Sequence, residues 1–522
     1  MSIQTMEQSK NNITFGSEKV IYAINRVADL AKMTLGASGK NIILETTLSP
    51  FHIITNDGIS IVLDAFFDDP VENMGASLLK EACTRANALS RDGTTTTAVL
   101  TQAILKEAGA DNSNPMEIKR SLEDCIPAII DAIDSQTVQV SSEEDVKAVA
   151  TVSAESPEIG SVIAEIYAKI GPEGHIELDN SRNFENYYIL KEGITVPMAT
   201  ATSPSFFNNE SGTMASYENP LILVTDQSIS TEKDWKRISA DLEARGHNTL
   251  VIICDGIDPA VNAKLSLLKL QGKFNFLVIK APTVMKDAFF EDISKALGAT
   301  LATKGGAYSL QTIGINQLGT CSKIIVDRNE TRFIGTRDMS EHIKFLSENE
   351  RMDAVLAERI KRLNTKVAVL YLGAYSATDL KYKKDKADDA IGTTKLALQG
   401  GIVPGGGVAL KKASESLPDT VGGRILKRAL KAPISQIIEN YGAPVADTLG
   451  KIEESGLQNA GFDSKSGTVK DMVDANIIDA AMVIKNSVKA AISVASTALT
   501  IGGSVSKPRQ DAPVMMMPPG MM

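Results

Sequence analysis

Apolar residues Val20, Ile24, Val27 and Leu30-Ala31 recur at helical spacing after Ser17, a residue suited to cap a helix. The helix they predict stops at the Leu35-Gly36 break. Two short runs, NIILET (41–46) and FHIIT (51–55), read as strands with a Ser49-Pro50 turn between them. Ala- and Leu-rich stretches over about 72–90, 94–108 and 115–134 then carry the pattern of packed helices.

The pattern changes in the middle of the chain. LILVTD (221–226), TLVIICD (249–255), FLVIKA (276–281) and KIIVD (323–327) are β-branched runs, separated by helical stretches near 232–245, 258–271 and 285–297. Strand and helix in alternation predict an α/β unit with parallel strand pairs. After another strand, VAVLYLG (367–373), helical periodicity returns to about residue 501. The simplest layout is an α/β domain inserted into an all-helical one, with 138–192 and 367–400 as the two connections. The expected fold class is multidomain α and α/β. No internal repeat of solenoid length is present.

Composition narrows the function classes. With 522 residues the chain has room for about three domains of roughly 100–200 residues each. The 43% apolar content excludes a disordered or fibrous protein. A net charge of −10 gives no overall field toward a phosphate backbone, so nucleic acid is not an expected partner. Cys83, Cys125, Cys254 and Cys321 are far apart, as are His52, His175, His247 and His342, which argues against a disulfide framework or a zinc site. The first residues lack the features of a secretory signal, and no run of about 18 uncharged apolar residues occurs. The expected location is cytoplasmic, without a membrane. The Met- and Pro-rich end, 506–522, reads as a flexible apolar arm that is either a disordered terminus or a contact for a client.

Candidate chemistry lies in glycine-rich turns. Asp92-Gly93-Thr94-Thr95-Thr96-Thr97 leads straight into the apolar-periodic helix AVLTQAILKEA. Backbone N–H groups at a helix N-terminus favour phosphate, Gly93 permits close approach, and the Asp92 carboxylate is a hard ligand for Mg2+. The plain alternative is an Asp-capped helix start, against which four consecutive β-branched threonines argue. Thr34-Leu35-Gly36-Ala37-Ser38-Gly39-Lys40 and Pro404-Gly405-Gly406-Gly407 are further turns able to wrap a ligand, each weak alone.

LGASGKN (35–41), TNDGIS (55–60), ENMGASLLKEA (72–82), DGTTTTAVL (92–100), NPMEIKR (114–120) and DDAIGTTKLALQGGIVPGGGVAL (388–410), with the Met-rich end, occur in the order found in GroEL-type (group I) chaperonins. The resemblance covers essentially the whole chain, is strongest in 13–125 and 385–410, and is weakest in the α/β insert. It implies an equatorial domain from 1–137 and 401–522, an intermediate domain from 138–192 and 367–400, and an apical domain at 193–366. It also implies homo-oligomeric, seven-membered rings, one or two of them, that enclose non-native polypeptides. ATP and Mg2+ are the implied cofactors, K+ is admitted beside them, and a GroES-type co-chaperonin is an optional partner.

Residue by residue, the resemblance places Thr34, Leu35, Gly36 and Ala37 beside the phosphates and Asp92 on Mg2+. Gly93, Thr94, Thr95 and Thr96 would hold phosphate oxygens, Gly406 would pack on the nucleotide and Asp479 would accept from the ribose. Asp389 matches the acid that orients the attacking water, with Asp388 one register step away, and Asp57 matches a second carboxylate that helps hydrolysis. Positioning and charge neutralisation are what phosphoryl transfer needs from such groups.

Some positions depart from the family pattern. Asn56 stands where a lysine is usual, Ala37 for a proline, Asp463-Ser464-Lys465 for Asn-Ala-Ala at the adenine edge, and Arg91 for a glycine. Gly193 and Gly401 match hinge positions, but Asn364-Thr365-Lys366 lies where a Gly-Gly pair is usual. For client binding, the matching residues are Phe206 and Phe207 in a loop, Trp235, Ile238 and Leu242 on one helix face, and Leu267 with Leu265, Leu268 and Leu270 on a second helix. For any single leucine the domain's own core is the competing place. Polar Lys236, Ser239, Asn262 and Ser266 imply a narrower apolar patch than usual.

An ATP-driven folding chamber is the leading expectation. A ring that holds non-native proteins but hardly cycles is the alternative, motivated by Asn56 and the missing Gly-Gly. A metabolic enzyme acting on a small molecule lacks any acid/base or nucleophile cluster.

Overall fold

The computed structural model describes residues 13–45, 52–172, 174–181, 184–209, 212–349, 354–363 and 366–506. The Met-rich end beyond Ser506 and the Asn364-Thr365 pair lie outside the described residues. The chain forms two compact units, one of 1–168, 180–186 and 372–522, the other of 169–179 and 187–371. The stretches 138–192 and 367–400, read above as connections, contribute most of their helical residues to the first unit.

The first unit is helical and joins both ends of the chain in one core. Its central element is the helix Ala481–Leu499, buried along most of its length against helices Pro70–Ser90 and Thr94–Gly109. Val20, Ile24 and Val27 are buried as the spacing predicts, on the helix Glu18–Ala31. Asp69 caps Pro70–Ser90 by accepting from the N–H groups of Val71 (2.8 Å) and Glu72 (3.2 Å), with Pro70 at the first helical position. The stretch 115–134 is two helices, Pro115–Asp124 and Ile126–Asp134, because Pro127 has no N–H to continue the ladder. The strands Ile42–Leu44 and Ile53–Thr55 pair antiparallel as expected. Ile13–Phe15 pairs with Gly503–Val505, so a second two-stranded ribbon ties the two ends together.

Among the described residues, the second unit holds two large sheets and a two-stranded ribbon of Ser228–Ile229 with Gly256–Ile257. Leu221–Val224, Thr249–Cys254 and Asn275–Lys280 are parallel neighbours, with short antiparallel edges Gly319–Thr320 and Thr200–Ala201. The fourth β-branched run does not join them. Lys323–Val326 lies in a six-stranded sheet, antiparallel to Glu330–Ile334 and to Ala215–Glu218. The reason is local: Asp327 accepts from the N–H groups of Asn329 (2.8 Å) and Glu330 (3.0 Å), making a tight turn that supplies an antiparallel partner at once. The helices of this unit are tied by a buried carboxylate. Asp292 accepts from Arg359 Nε (2.9 Å) and Nη2 (2.7 Å) and pairs with His342 Nε2 (2.8 Å).

Gly75 marks a close approach of two helices in the first core. A Cβ there would lie 2.4 Å from the Val20 carbonyl oxygen and 2.9 Å from its Cα. Backbone cannot step aside as a flexible side chain can. Gly75→Ala is therefore expected to destabilise by about 1–3 kcal/mol, against a helix-propensity gain of about 1 kcal/mol. A net loss in chemical denaturation checks it.

Candidate functional site

The first unit encloses a cavity of about 710 Å³. Every nucleotide-site position named from the sequence lines it: Thr34, Leu35, Gly36 and Ala37; Asn56 and Asp57; Asp92, Gly93, Thr94, Thr95 and Thr96; Asp389; Gly406; Asp463, Ser464 and Lys465; and Asp479. These residues come from stretches separated by up to hundreds of positions in the chain.

Backbone geometry prepares the phosphate side. Gly93 has φ +84° and is the N-cap of Thr94–Gly109, with no side chain to accept from the first turn. The open N–H groups of that turn belong to Thr94, Thr95 and Thr96, at the positive end of a 16-residue helix. A Cβ on Gly93 would meet Ser487 Oγ at 2.3 Å, so both the angle and the space demand glycine. Across the cavity, Gly36 has φ +81°, and the turn that carries it is held by Asn440, whose Nδ2 donates to the carbonyls of Lys32 and Leu35 (2.9 Å each). Gly406 and Gly407 are also left-handed, at φ +62° and +78°. Leu410, Ile437, Phe462 and Ile477 supply apolar wall.

Carboxylates face one another in this space. Asp92 Oδ2 accepts from Ser153 Oγ (3.0 Å) and Thr393 Oγ1 (3.3 Å), which brings helices Glu143–Ala154 and Ala377–Gly400 onto the phosphate turn. Burial pushes Asp389 up to about 9, and the charges of Asp92 and Asp57 add to it while Lys386 opposes. Burial and then Asp92 push Asp479 up to about 7. Carboxylates arranged this way call for a cation, and their hard oxygens suit Mg2+. Together with an uncapped helix N-terminus and left-handed glycines, the donor set fits a Mg2+-bound polyphosphate.

Not all expected groups point to a ligand. Asp57 caps the helix Gly58–Asp64, accepting from the N–H groups of Ile59 (3.3 Å) and Ser60 (3.1 Å). Asp463 lines the cavity, but its carboxylate accepts from Lys470 Nζ (2.8 Å), Ser466 Oγ (2.6 Å) and the Lys465 N–H (2.9 Å). Those bonds overcome its desolvation and hold it down at about 2. Asn56 donates through Nδ2 to Glu155 Oε2 (3.0 Å), whose other oxygen accepts from Lys386 (2.8 Å). Sequence reasoning missed Ser153, Thr393, Glu155 and Lys386, because each sits in an ordinary helical pattern and only packing brings it to the cavity.

The expected client-binding residues lie in the second unit, and four of the six require correction. Phe206, Trp235, Ile238 and Leu242 are buried in that unit's core, Trp235 edge-on to Phe276 with ring centroids 5.3 Å apart. The helical spacing of Trp235, Ile238 and Leu242 is the spacing of a core-facing stripe. Phe207 is half-buried against the same core. Leu267 is 54% exposed and Leu270 72% exposed, while Leu265 faces inward. Of the hinge positions, Gly401 ends a helix at φ +79°, whereas Gly193 is extended within the strand Tyr187–Pro197.

The model of the TCP-1/cpn60 chaperonin family matches residues 27–507. Among solved structures, the chain resembles the chaperonin gp146 from the bacteriophage EL 2 (Pseudomonas aeruginosa), crystallised in the presence of ATP-BeFx in two forms. Identity is 18% in both, over 96% of this chain and 100% of that one, with TM-scores of 0.67 and 0.64.

A carboxyl raised from 3.8 to about 9 keeps its proton in the fold but loses it in the unfolded chain. Its contribution to stability is therefore greatest below the unfolded value and falls as pH rises toward the folded one. In the absence of nucleotide and Mg2+, Asp389→Asn is expected to raise the unfolding midpoint at about pH 8 and to change it little at about pH 4. Thermal denaturation at the two pH values checks this.

Proposed function

The chain belongs to the TCP-1/cpn60 chaperonin family, and on that premise we propose that it is a GroEL-type ATPase that captures non-native polypeptides and assists their folding within a ring of copies. The observation that carries the reading is the convergence of the Asp92–Thr96 turn, Asp389 and Asp479 on one cavity. ATP supplies a phosphoanhydride bond, and Mg2+ neutralises phosphate charge during its hydrolysis. Asp92 would hold the cation, and the N–H groups of Thr94, Thr95 and Thr96 would hold phosphate oxygens. Asp389 would orient the attacking water and accept its proton. Asp57 supports the same region as cap of its helix, and Asp479 takes the ribose hydroxyls.

Two features support assembly with further copies. Two of the two-stranded ribbons leave apolar side chains in the open: Phe15 (83% exposed) and Val505 (66%) on the ribbon of the two chain ends, Ile43 (63%) and Ile54 (53%) on that of Ile42–Leu44 and Ile53–Thr55. A two-stranded ribbon is marginal alone, and open edges of this kind suit pairing with a second copy of the chain. The resemblance supports a seven-membered ring. Client contact is assigned to the exposed Leu267 and Leu270, a narrower patch than the sequence led one to expect.

Refolding of a chemically denatured, aggregation-prone enzyme tests the function. Mg2+-ATP should raise the yield with wild type and not with Asp389→Ala, and repeating the assay with a GroES-type lid reports whether one is needed. Equal suppression of aggregation by both proteins, with no gain from ATP, would identify a holdase instead. Ile43→Lys combined with Ile54→Lys should shift the mass in light scattering toward the monomer while leaving the helical circular dichroism unchanged.

A further inference from the structure

Arg91 stands out in the phosphate turn. It is not glycine, yet its backbone is left-handed at φ +57°, a strained choice for a long side chain. Its Nη1 pairs with Asp388 Oδ2 at 2.9 Å, across 297 positions of sequence. Its stem lies on Gly392: a Cβ built there would come within 2.4 Å of both Arg91 Cβ and Cγ. Gly392 is interior to the 24-residue helix Ala377–Gly400, where glycine is worth about 1 kcal/mol less than alanine. Asp388 and Gly392 are one turn apart and share a helix face. Asp389 and Thr393, the next residue after each, both line the cavity, and Thr393 bonds to Asp92.

Two consecutive residues of the turn thus grip three positions on two successive turns of one helix. Arg91 takes Asp388 and Gly392 outside, and Asp92 takes Thr393 inside. The grip opposes a repulsion, since Asp389 is held facing the carboxylates of Asp92 and Asp57. An exposed ion pair alone gives at most about 1 kcal/mol, so the contribution is geometric: the stem seated on Gly392 sets how far the helix approaches. Resting on the ATPase reading above, we propose that Arg91, seated on Gly392 and paired with Asp388, is a positioning residue that sets the distance of Asp389 from the phosphate turn.

The test uses the full chain, steady-state ATP hydrolysis, binding of a fluorescent mant-ATP analogue, and thermal denaturation. Arg91→Gly relieves the left-handed strain, so the unfolding midpoint should stay level or rise. At the same time kcat should fall about ten- to a hundred-fold, because a small misplacement of a reacting group is enough, with analogue affinity within about three-fold of wild type. Gly392→Ala should lower kcat similarly by displacing the arginine stem, and should add nothing in the Arg91→Gly background. The charge reversal of Arg91→Asp with Asp388→Arg should recover part of the rate lost by Arg91→Asp alone.

Arg91→Gly with kcat within about two-fold of wild type would overturn the proposal. So would losses from Arg91→Gly and Gly392→Ala that simply multiply in the double variant. Failure of the ATPase reading looks different: wild type itself would then neither bind the analogue nor hydrolyse ATP, and the proposal would fall with that reading.

Discussion

Everything in the first unit is arranged around one aspartate. Asp92 sits at the open N-terminus of a 16-residue helix and accepts hydroxyls from two helices that follow it far along the chain, through Ser153 and Thr393. Those two bonds draw Glu143–Ala154 and Ala377–Gly400 onto the turn. They also force Asp389 to face like charge, and that electrostatic debt remains in the folded protein. The site is built to be completed by something positive that carries something negative.

This arrangement explains why glycine recurs where it does. Gly93 is left-handed and has no room for a Cβ, so the helix starts without a side-chain cap and its N–H groups stay available. An ordinary Asp-capped start would have satisfied those donors and closed the site. Asp57 and Asp463 make the contrast: both line the cavity, but one caps its own helix and the other is consumed by the hairpin around Lys470. Residue type alone does not separate an aspartate bonded across to other helices from one taken up by its own helix or hairpin.

The second unit shows the same lesson with apolar residues. Trp235, Ile238 and Leu242 form a stripe whose periodicity signals burial on one side, and periodicity carries no information on whether the buried side meets a core or a partner. The sheet beside them was large enough to take that stripe. On a neighbouring helix, Pro259–Leu270, Leu267 and Leu270 stayed open.

The sequence by itself determined the helical and α/β layout, the two strands before residue 56, the Asp92–Thr97 turn and many of the residues around the cavity. These are encoded locally, by periodicity, by glycine at left-handed positions and by motifs that travel as units. Tertiary structure decided the rest. Lys323–Val326 went to the antiparallel sheet because its turn supplied a nearer partner, and Pro127 split one helical stretch in two. Ser153, Thr393 and Arg91 became part of the site only when helices distant in sequence packed together. Hydrogen bonds and close contacts of that kind depend on distances between elements, which no local pattern of residues specifies.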